Sequence, residues 1–128
     1  MFTLQQIDDL HTRLGDAQTL LAYVLALNAI GVERYVSYLI DGHSEYFGKD
    51  GHCVISPPVH DRLSIAHKSN RDNFLKHLKL HEEGVTSYLE MSEGLAESGI
   101  EKWSVDTNEA TMIFYDLDGN ELLVENLE

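Results

Sequence analysis

The sequence contains one cysteine, Cys53, and two prolines in 128 residues. A single thiol cannot form an intrachain disulfide, so the fold needs no oxidising compartment. The first residues carry no basic stretch followed by an apolar core, and no run of about 18 apolar residues occurs, so neither a signal peptide nor a membrane-spanning helix is predicted. We therefore expect a soluble protein of the cytoplasm.

Basic side chains are also scarce. Nine Lys and Arg stand against 22 Asp and Glu, for a net charge of −13. The imbalance is concentrated in residues 85–128, which hold 11 acids and only Lys102 as a basic residue, whereas residues 1–84 carry a net charge of −3. A chain of this charge repels phosphate backbones and anionic lipids, so no nucleic-acid or membrane partner is expected.

Residues 31–54 and 99–122 read as two versions of one pattern at an offset of 68. The matched stretches include GVERY at 31–35 against GIEKW at 99–103, and DGH against DGN further on. The pattern predicts a single domain over 1–128 made of duplicated units. The first repeat is expected over 1–56, a linker over 57–68 and the second repeat over 69–128.

Capping signals and changes of hydrophobic period predict the same elements in each repeat: two helices followed by a three-stranded antiparallel meander. Thr3 with Gln6, and Ser87 with Glu90, have the spacing of capping boxes, which begin helices. Asp41-Gly42 between two β-rich runs is typical of a two-residue hairpin turn. Helices on one face of antiparallel strands define an α+β fold, a two-layer sandwich. The pattern leaves open whether the meanders join into one sheet.

Two local features lie near the middle of the chain. The linker contains Pro57 and Pro58, which can neither continue a helix nor join a central strand, and we expect a short helical turn to follow at Arg62–His67. His52 and Cys53 are neighbours on a predicted strand and should point to opposite faces, so His52 cannot serve as a base for the thiol. We interpret Cys53 as a small core residue.

The second repeat resembles a known family. The positions that carry the resemblance are Gly84–Tyr88, Leu95-Ala96, Gly99–Trp103, Val105-Asp106, Thr111, Tyr115-Asp116 and Gly119–Glu125. They resemble a family of small bacterial and prophage-associated proteins, often labelled "phage envelope protein", whose fold is described as YdfO-like. The resemblance extends over essentially the whole chain. It implies an α+β fold and a prophage link, and it implies no reaction, because no activity is established for the family.

His77 and His81 lie four residues apart on a predicted helix, a spacing at which two imidazoles can share a metal ion. The zincin pattern requires Glu directly after the first histidine, and here Leu78 follows, so no metal site is predicted. We interpret His81 as a packed side chain that donates one hydrogen bond. No glycine-rich phosphate loop and no nucleophile elbow occurs, so no cofactor and no catalytic residue is predicted.

Three functions remain open from the sequence. The leading one is a non-enzymatic interaction or accessory protein that binds a protein partner or itself, favoured if Tyr38, Tyr46 and Tyr115 gather on one exposed face. The second is a small-molecule or metal-binding module with a cleft between the repeats. Its candidate ligand-binding residues are His77, His81, Tyr88 and Trp103. The third is an acidic mimic of a nucleic acid's charge that binds a basic partner.

Overall fold

The computed structural model describes the backbone of residues 1–128 and every side chain except that of Ala17. In chain order its elements are α1 (Leu4–Leu14), a first 3-10 turn (Ala17–Thr19), α2 (Leu20–Ala29), β1 (Arg34–Tyr38), β2 (Ser44–Phe47), a second 3-10 turn (Lys49–Gly51), β3 (Cys53–Ile55), α3 (Arg71–Glu82), α4 (Tyr88–Glu97), β4 (Ile100–Asp106), β5 (Thr111–Asp116) and β6 (Glu121–Asn126). The order helix, helix and three strands thus occurs twice. None of the described helices is long and apolar enough to cross a bilayer.

The predicted capping boxes are confirmed at two helix starts. Thr3 and Gln6 exchange side chain-to-backbone hydrogen bonds at the start of α1, and Ser87 and Glu90 do the same at the start of α4. At the start of α3, the side chain of Asn70 accepts a hydrogen bond from a backbone N–H. Because the first N–H groups of a helix have no partner within the helix, each such cap stabilises it by about 1 kcal/mol.

The two meanders join into one six-stranded antiparallel sheet of order β3-β2-β1-β4-β5-β6. At its centre β1 pairs with β4, with Arg34 opposite Asp106 and Tyr38 opposite Lys102. The offset of 68 relates Arg34 to Lys102 and Tyr38 to Asp106, so exchanging the halves reproduces the register. A pseudo-two-fold axis therefore passes through the middle of this strand pair. The α+β class is confirmed, and gene duplication as its origin stays a prediction.

The helices cover one face of the sheet. Inward side chains from the strands are Tyr35, Tyr46, Trp103, Val105, Met112 and Phe114, all of them buried. They share one core with residues of all four helices, namely Ile7, Leu10, Val24, Leu27, Phe74, Leu78 and Leu95. Burial of each large apolar side chain contributes about 1.5–3 kcal/mol. This shared core, more than helix propensity, holds the helices on the sheet.

The opposite face of the sheet, which we call the outer face, has no helix layer. Tyr38 and Tyr115 lie on it and flank Lys102, whose Nζ is 5.9 Å from the centroid of the first ring and 5.7 Å from that of the second. Strand alternation places Phe47 on the outer face and its neighbour Tyr46 on the inner one. Tyr38 and Tyr115 therefore lie on the outer face and Tyr46 on the inner one, so the three tyrosines do not gather on one exposed face.

The segment between β3 and α3 contains no helix, so the helical turn predicted at Arg62–His67 is wrong. The backbone of this segment is satisfied by other elements instead. Leu63 N–H donates to the carbonyl of Ile40 beside the first hairpin, and Ala66 N–H donates to the carbonyl of Ala96 in α4. These contacts hold the segment extended along both halves, which removes the local hydrogen bonds that a helical turn would need.

The interpretation of Cys53 as a core residue is also wrong, because its side chain is exposed. It lies on β3, a strand of three residues at the edge of the sheet, and it points to the uncovered outer face. Its neighbour His52 turns inward, where Nε2 donates to the carbonyl of Phe2 at 2.8 Å. Strand alternation therefore predicts that His52 and Cys53 point to opposite faces of the sheet, but it does not show which face the helices cover.

Candidate ligand-binding cleft

A cleft of about 820 Å³ lies between the two pairs of helices, above the central strands. In the first half α1 packs on α2, and in the second α3 packs on α4, whereas the closest packing between the pairs is that of the first 3-10 turn on α3. The pairs therefore diverge, and the sheet forms the floor of the space between them. The volume is within the range of about 300–1,000 Å³ that small-molecule sites occupy.

Matched positions of the two halves form the walls of the cleft. The first-half wall is Tyr23, Tyr35, Ser44 and Tyr46, and the second-half wall is Met91, Trp103, Met112 and Phe114. Each residue of one wall is related to one of the other by the offset of 68. None of the eight is more than 8% exposed. The pseudo-two-fold axis therefore runs through the cleft, and each half contributes one wall.

The first-half wall is rich in hydroxyl groups. The hydroxyls of Tyr23 and Tyr46 are 3.4 Å apart, and Ser44 Oγ lies 2.6 Å from Ser37 Oγ, which also lines the cleft. Burial, followed by the proximity of Tyr46, raises the pKa of Tyr35. The Tyr35 hydroxyl is therefore protonated at neutral pH and is a hydrogen-bond donor.

The second-half wall consists of thioethers and aromatic rings. The ring of Phe114 lies 5.0 Å from that of Phe74 and 5.9 Å from that of Trp103, measured between centroids. Met91 and Met112 complete this wall with flexible, polarisable side chains that adapt to irregular shapes. Among the four side chains of the second-half wall, Trp103 alone has a hydrogen-bond donor, its indole N–H. One wall therefore suits polar atoms and the other an apolar surface.

Negatively charged side chains line the opening of the cleft. They are Asp8, Asp16, Glu82 and Glu125, and no Lys or Arg lines it in the part of the chain that the structure describes. Burial, followed by the charge of Glu82, raises the pKa of Glu125. An anionic ligand would meet uncompensated negative charge here, so the cleft suits an uncharged or cationic molecule.

Three of the four ligand-binding residues predicted from the sequence, His81, Tyr88 and Trp103, line the cleft. His81 Nδ1 lies 3.1 Å from the carbonyl oxygen of Thr86, and because a carbonyl only accepts, Nδ1 donates. This is the single hydrogen bond expected of His81, and it closes the turn between α3 and α4. Tyr88 lies at the rim, where partial burial raises its pKa to about 12.

The fourth predicted residue, His77, lies outside the cleft. Its ring packs directly against Gly94 of α4 and leaves no room for a Cβ at that position. His77 and His81 therefore serve helix packing and turn closure, respectively. Among the described residues, no group of three or more His, Cys, Asp or Glu side chains is placed to hold a metal ion.

Most residues of the first-half wall were not among the candidates predicted from the sequence. Tyr35 was available as the counterpart of the candidate Trp103 at the offset of 68, and the inward positions of β2 and β5 follow from strand alternation. Tyr23 and Met91 could have been found in the same way from the two inward helix faces. The divergence of the helix pairs had no signal in the sequence, because it depends on how whole helices pack.

The fold and the cleft together define an α+β protein with one candidate ligand-binding site between two similar halves. The chain belongs to the family described as "Protein of unknown function (DUF1398)", whose family model matches residues 8–126. No match to a curated protein is found.

Proposed function

We propose that the protein binds a small, largely apolar molecule with a ring system in the cleft between its halves. The observation that carries this proposal is the cleft of about 820 Å³ at the centre of a chain of only 128 residues. The cleft is open to solvent, yet the eight side chains of its two walls are at most 8% exposed and mostly apolar, and keeping a concave apolar surface in contact with water is unfavourable. A space of this size at the centre of the fold therefore favours a binding function.

The side chains that line the cleft support a flat, apolar ligand. Six of them are Phe, Tyr or Trp, namely Tyr23, Tyr35, Tyr46, Tyr88, Trp103 and Phe114. Aromatic rings bury large apolar areas and prefer stacked or edge-to-face contacts with other rings. The cleft combines a few hydroxyl groups with many apolar atoms. This composition is typical of small-molecule sites, where the polar groups orient the ligand.

Binding, rather than catalysis, is the function that the arrangement favours. Three serines line the cleft: the hydroxyls of Ser37 and Ser44 bond to each other, and the hydroxyl of Ser56 accepts a hydrogen bond from the Ser44 N–H. No histidine or carboxylate among the described residues lies within hydrogen-bond distance of Ser37 Oγ, and His81 is occupied by a backbone carbonyl. An activated nucleophile needs an adjacent base, so this pair of serines supports no covalent step.

Fluorescence of N-phenyl-1-naphthylamine, an uncharged dye whose emission rises in apolar surroundings, tests the proposal. We expect saturable binding of one dye per chain, and we expect Met91→Trp to weaken it by at least about tenfold, since the larger ring occupies the cleft. Leu89→Trp is the matched control, because Leu89 lies on the same helix but is exposed and does not line the cleft. Absence of saturable binding, or equal loss in both folded variants, would overturn the proposal.

Self-association is a second candidate, and the outer face of the sheet is the observation that favours it. The guanidinium of Arg34 lies 4.1 Å from the ring centroid of Phe47, and Lys102 lies between two tyrosine rings. These cations alternate with Glu45 and Asp106 on neighbouring strands, so a second copy related by a two-fold axis could match opposite charges. Sedimentation at micromolar concentration tests it, and a monomer would contradict it. The prophage link, the cytoplasmic location and charge mimicry stay predictions.

A further inference from the structure

Two buried hydrogen-bond donors line the cleft without an acceptor in the protein. Tyr35 is 4% exposed and Trp103 is 8% exposed. Within the described part of the chain, neither the Tyr35 hydroxyl nor the Trp103 indole nitrogen makes a hydrogen bond, and neither is among the fully enclosed unpaired atoms. Both atoms therefore keep solvent access through the cleft, and a ligand that displaces this solvent has to supply an acceptor, because an unpaired donor that is fully buried costs about 1–3 kcal/mol. Both donors are therefore available to a group that enters the cleft.

The two donors belong to side chains that are neighbours on the inner face of the sheet. Tyr35 lies opposite Val105 in the central strand pair, and Trp103 lies opposite Ser37, so Tyr35 and Trp103 are diagonal neighbours on the inner face. Such neighbours have Cα atoms about 7–8 Å apart, within the span of long aromatic side chains. The two residues are also matched at the offset of 68, and so the pair straddles the pseudo-two-fold axis.

The chemistry of the pair selects a hydrogen-bond acceptor. An indole N–H only donates, whereas a tyrosine hydroxyl can donate or accept, so the group that satisfies both must accept. A carbonyl oxygen has two lone pairs and can accept from both donors at once. The other wall hydroxyls each share one hydrogen bond, Tyr23 with Tyr46 and Ser37 with Ser44, so Tyr35 and Trp103 are the wall donors that have no partner at all.

The charge of the cleft decides which kind of acceptor fits. A carboxylate or phosphate would also accept from both donors, but its charge would meet Asp8, Asp16, Glu82 and Glu125 without any Lys or Arg among the described lining residues. Charge repulsion in a site of low dielectric costs more than it does in water. An uncharged carbonyl oxygen avoids this repulsion and keeps both hydrogen bonds.

We propose that the ligand is an uncharged ring compound that bears a carbonyl oxygen. The oxygen accepts hydrogen bonds from Tyr35 and Trp103, and the ring lies against Met91, Met112 and Phe114. This ligand class rests on the binding function proposed above, and it adds an orientation, with the polar edge toward the donors and the apolar edge toward the thioethers.

Calorimetry with three ligands that share one ring system tests the ligand class. The ligands are 2-acetylnaphthalene, 2-ethylnaphthalene and 2-naphthoate, which differ in carrying a carbonyl, no oxygen or a carboxylate. We expect the acetyl compound to bind about tenfold more tightly than the ethyl compound, and the carboxylate to bind most weakly. Equal binding of the acetyl and ethyl compounds would overturn the ligand class and leave the binding function standing. Absence of binding by all three would contradict both.

Two substitutions locate the hydrogen bonds. Tyr35→Phe and Trp103→Phe should each lower the preference for the acetyl over the ethyl compound by about 3-fold to 10-fold, while binding of the ethyl compound stays unchanged. Tyr38→Phe is the control, because the Tyr38 hydroxyl donates to Glu45 on the outer face, and it should keep the full preference. A preference unchanged in Tyr35→Phe and Trp103→Phe would overturn the proposed contacts. If either variant fails to fold, the wild-type ligand series still decides the ligand class.

Discussion

The two halves of the molecule share an order of elements and differ in the chemistry of the walls that they contribute to the cleft. The first-half wall offers the hydroxyl groups of Tyr23, Tyr35, Ser44 and Tyr46, and the second-half wall offers Met91, Trp103, Met112 and Phe114. Equivalent backbone positions thus present different atoms to one space. A symmetric backbone can therefore build a site that distinguishes the two edges of a ligand.

The halves also differ in how their second helices begin. Ser87 and Glu90 form a capping box at α4, whereas α2 follows a 3-10 turn in which the N–H groups of Gln18 and Thr19 donate to the Asp16 carboxylate. Hydrogen bonds from the side chain and backbone of Thr19 hold the pKa of the Asp16 carboxyl below its usual value. The 3-10 turn before α2 is therefore stabilised by its own hydrogen bonds to Asp16. The same turn packs on α3 beside the cleft.

The largest expected effect is on the packed wall. Phe114→Ala should lower the free energy of unfolding by about 3–5 kcal/mol, because Phe114 is almost fully buried and contacts the rings of Phe74 and Trp103. Urea unfolding followed by circular dichroism measures this. Leu117→Ala, at an exposed position after β5, is the control and should cost far less. A loss below about 1 kcal/mol for Phe114→Ala would mean that the second-half wall is not a packed surface.

The contact between His77 and Gly94 exists only in the second half, because Asp9 and Ala26 occupy the equivalent positions in the first. Gly94→Ala should lower stability by about 1–3 kcal/mol, since the new Cβ meets the His77 ring. Adding His77→Ala should restore part of the loss, which a double-mutant cycle measures as a coupling. Additive effects of the two substitutions would show that the ring and the glycine do not constrain each other.

The capping box of α4 has no counterpart in the first half, where Thr19 and Ala22 stand at the positions of Ser87 and Glu90. Ser87→Ala should lower the free energy of unfolding by about 1 kcal/mol, because the N–H of Glu90 loses its acceptor. Ser87→Asp is the matched control and should retain most of the stability, since Asp also caps helices well. Equal losses in both variants would contradict a capping role.

The smallest effect concerns Glu125, whose equivalent in the first half is Pro57. The pKa of Glu125 is raised above its usual 4.5, mainly by burial. The folded state therefore holds this proton more tightly than the unfolded state, so the stability gained from it is present below pH 4.5 and is lost as the pH rises through the folded-state pKa. Glu125→Gln should stabilise the protein at pH 7 by a few tenths of a kcal/mol, and the gain should vanish below pH 4.5.

Thermal unfolding of the two proteins across this pH range measures the effect. Glu121→Gln, an exposed change on the same strand, is the control and should leave the pH profile unaltered. A gain that persists unchanged at low pH would contradict the assignment to the ionised Glu125 carboxylate.

Much of the fold could be predicted from the sequence, because the signals for it are local. The capping boxes at Thr3 and Ser87 and the change of hydrophobic period after Gly31 and Gly99 depend on residues a few positions apart. Cys53 was misplaced because burial depends on whether another layer covers the strand, which the strand's own residues do not show.

The cleft could be predicted only in part. The candidates Tyr88 and Trp103 line the cleft, but His77, which was grouped with His81 on helical spacing, lies outside it. The spacing correctly places both histidines on one helix, and the packing of α4 then separates their roles. Tyr35 and Tyr46 are buried, as their positions on the inner face require, but the space beside them arises from the divergence of the helix pairs.

Methionine methyl NMR tests the central claim most directly. Of the three methionines, Met91 and Met112 lie on the second-half wall, whereas Met1 is 82% exposed and lies outside the cleft. On titration of ¹³C-methyl-labelled protein with 2-acetylnaphthalene, the signals of Met91 and Met112 should shift together and saturate, while that of Met1 stays in place. Unchanged Met91 and Met112 signals at saturating ligand would contradict a binding site between the two halves.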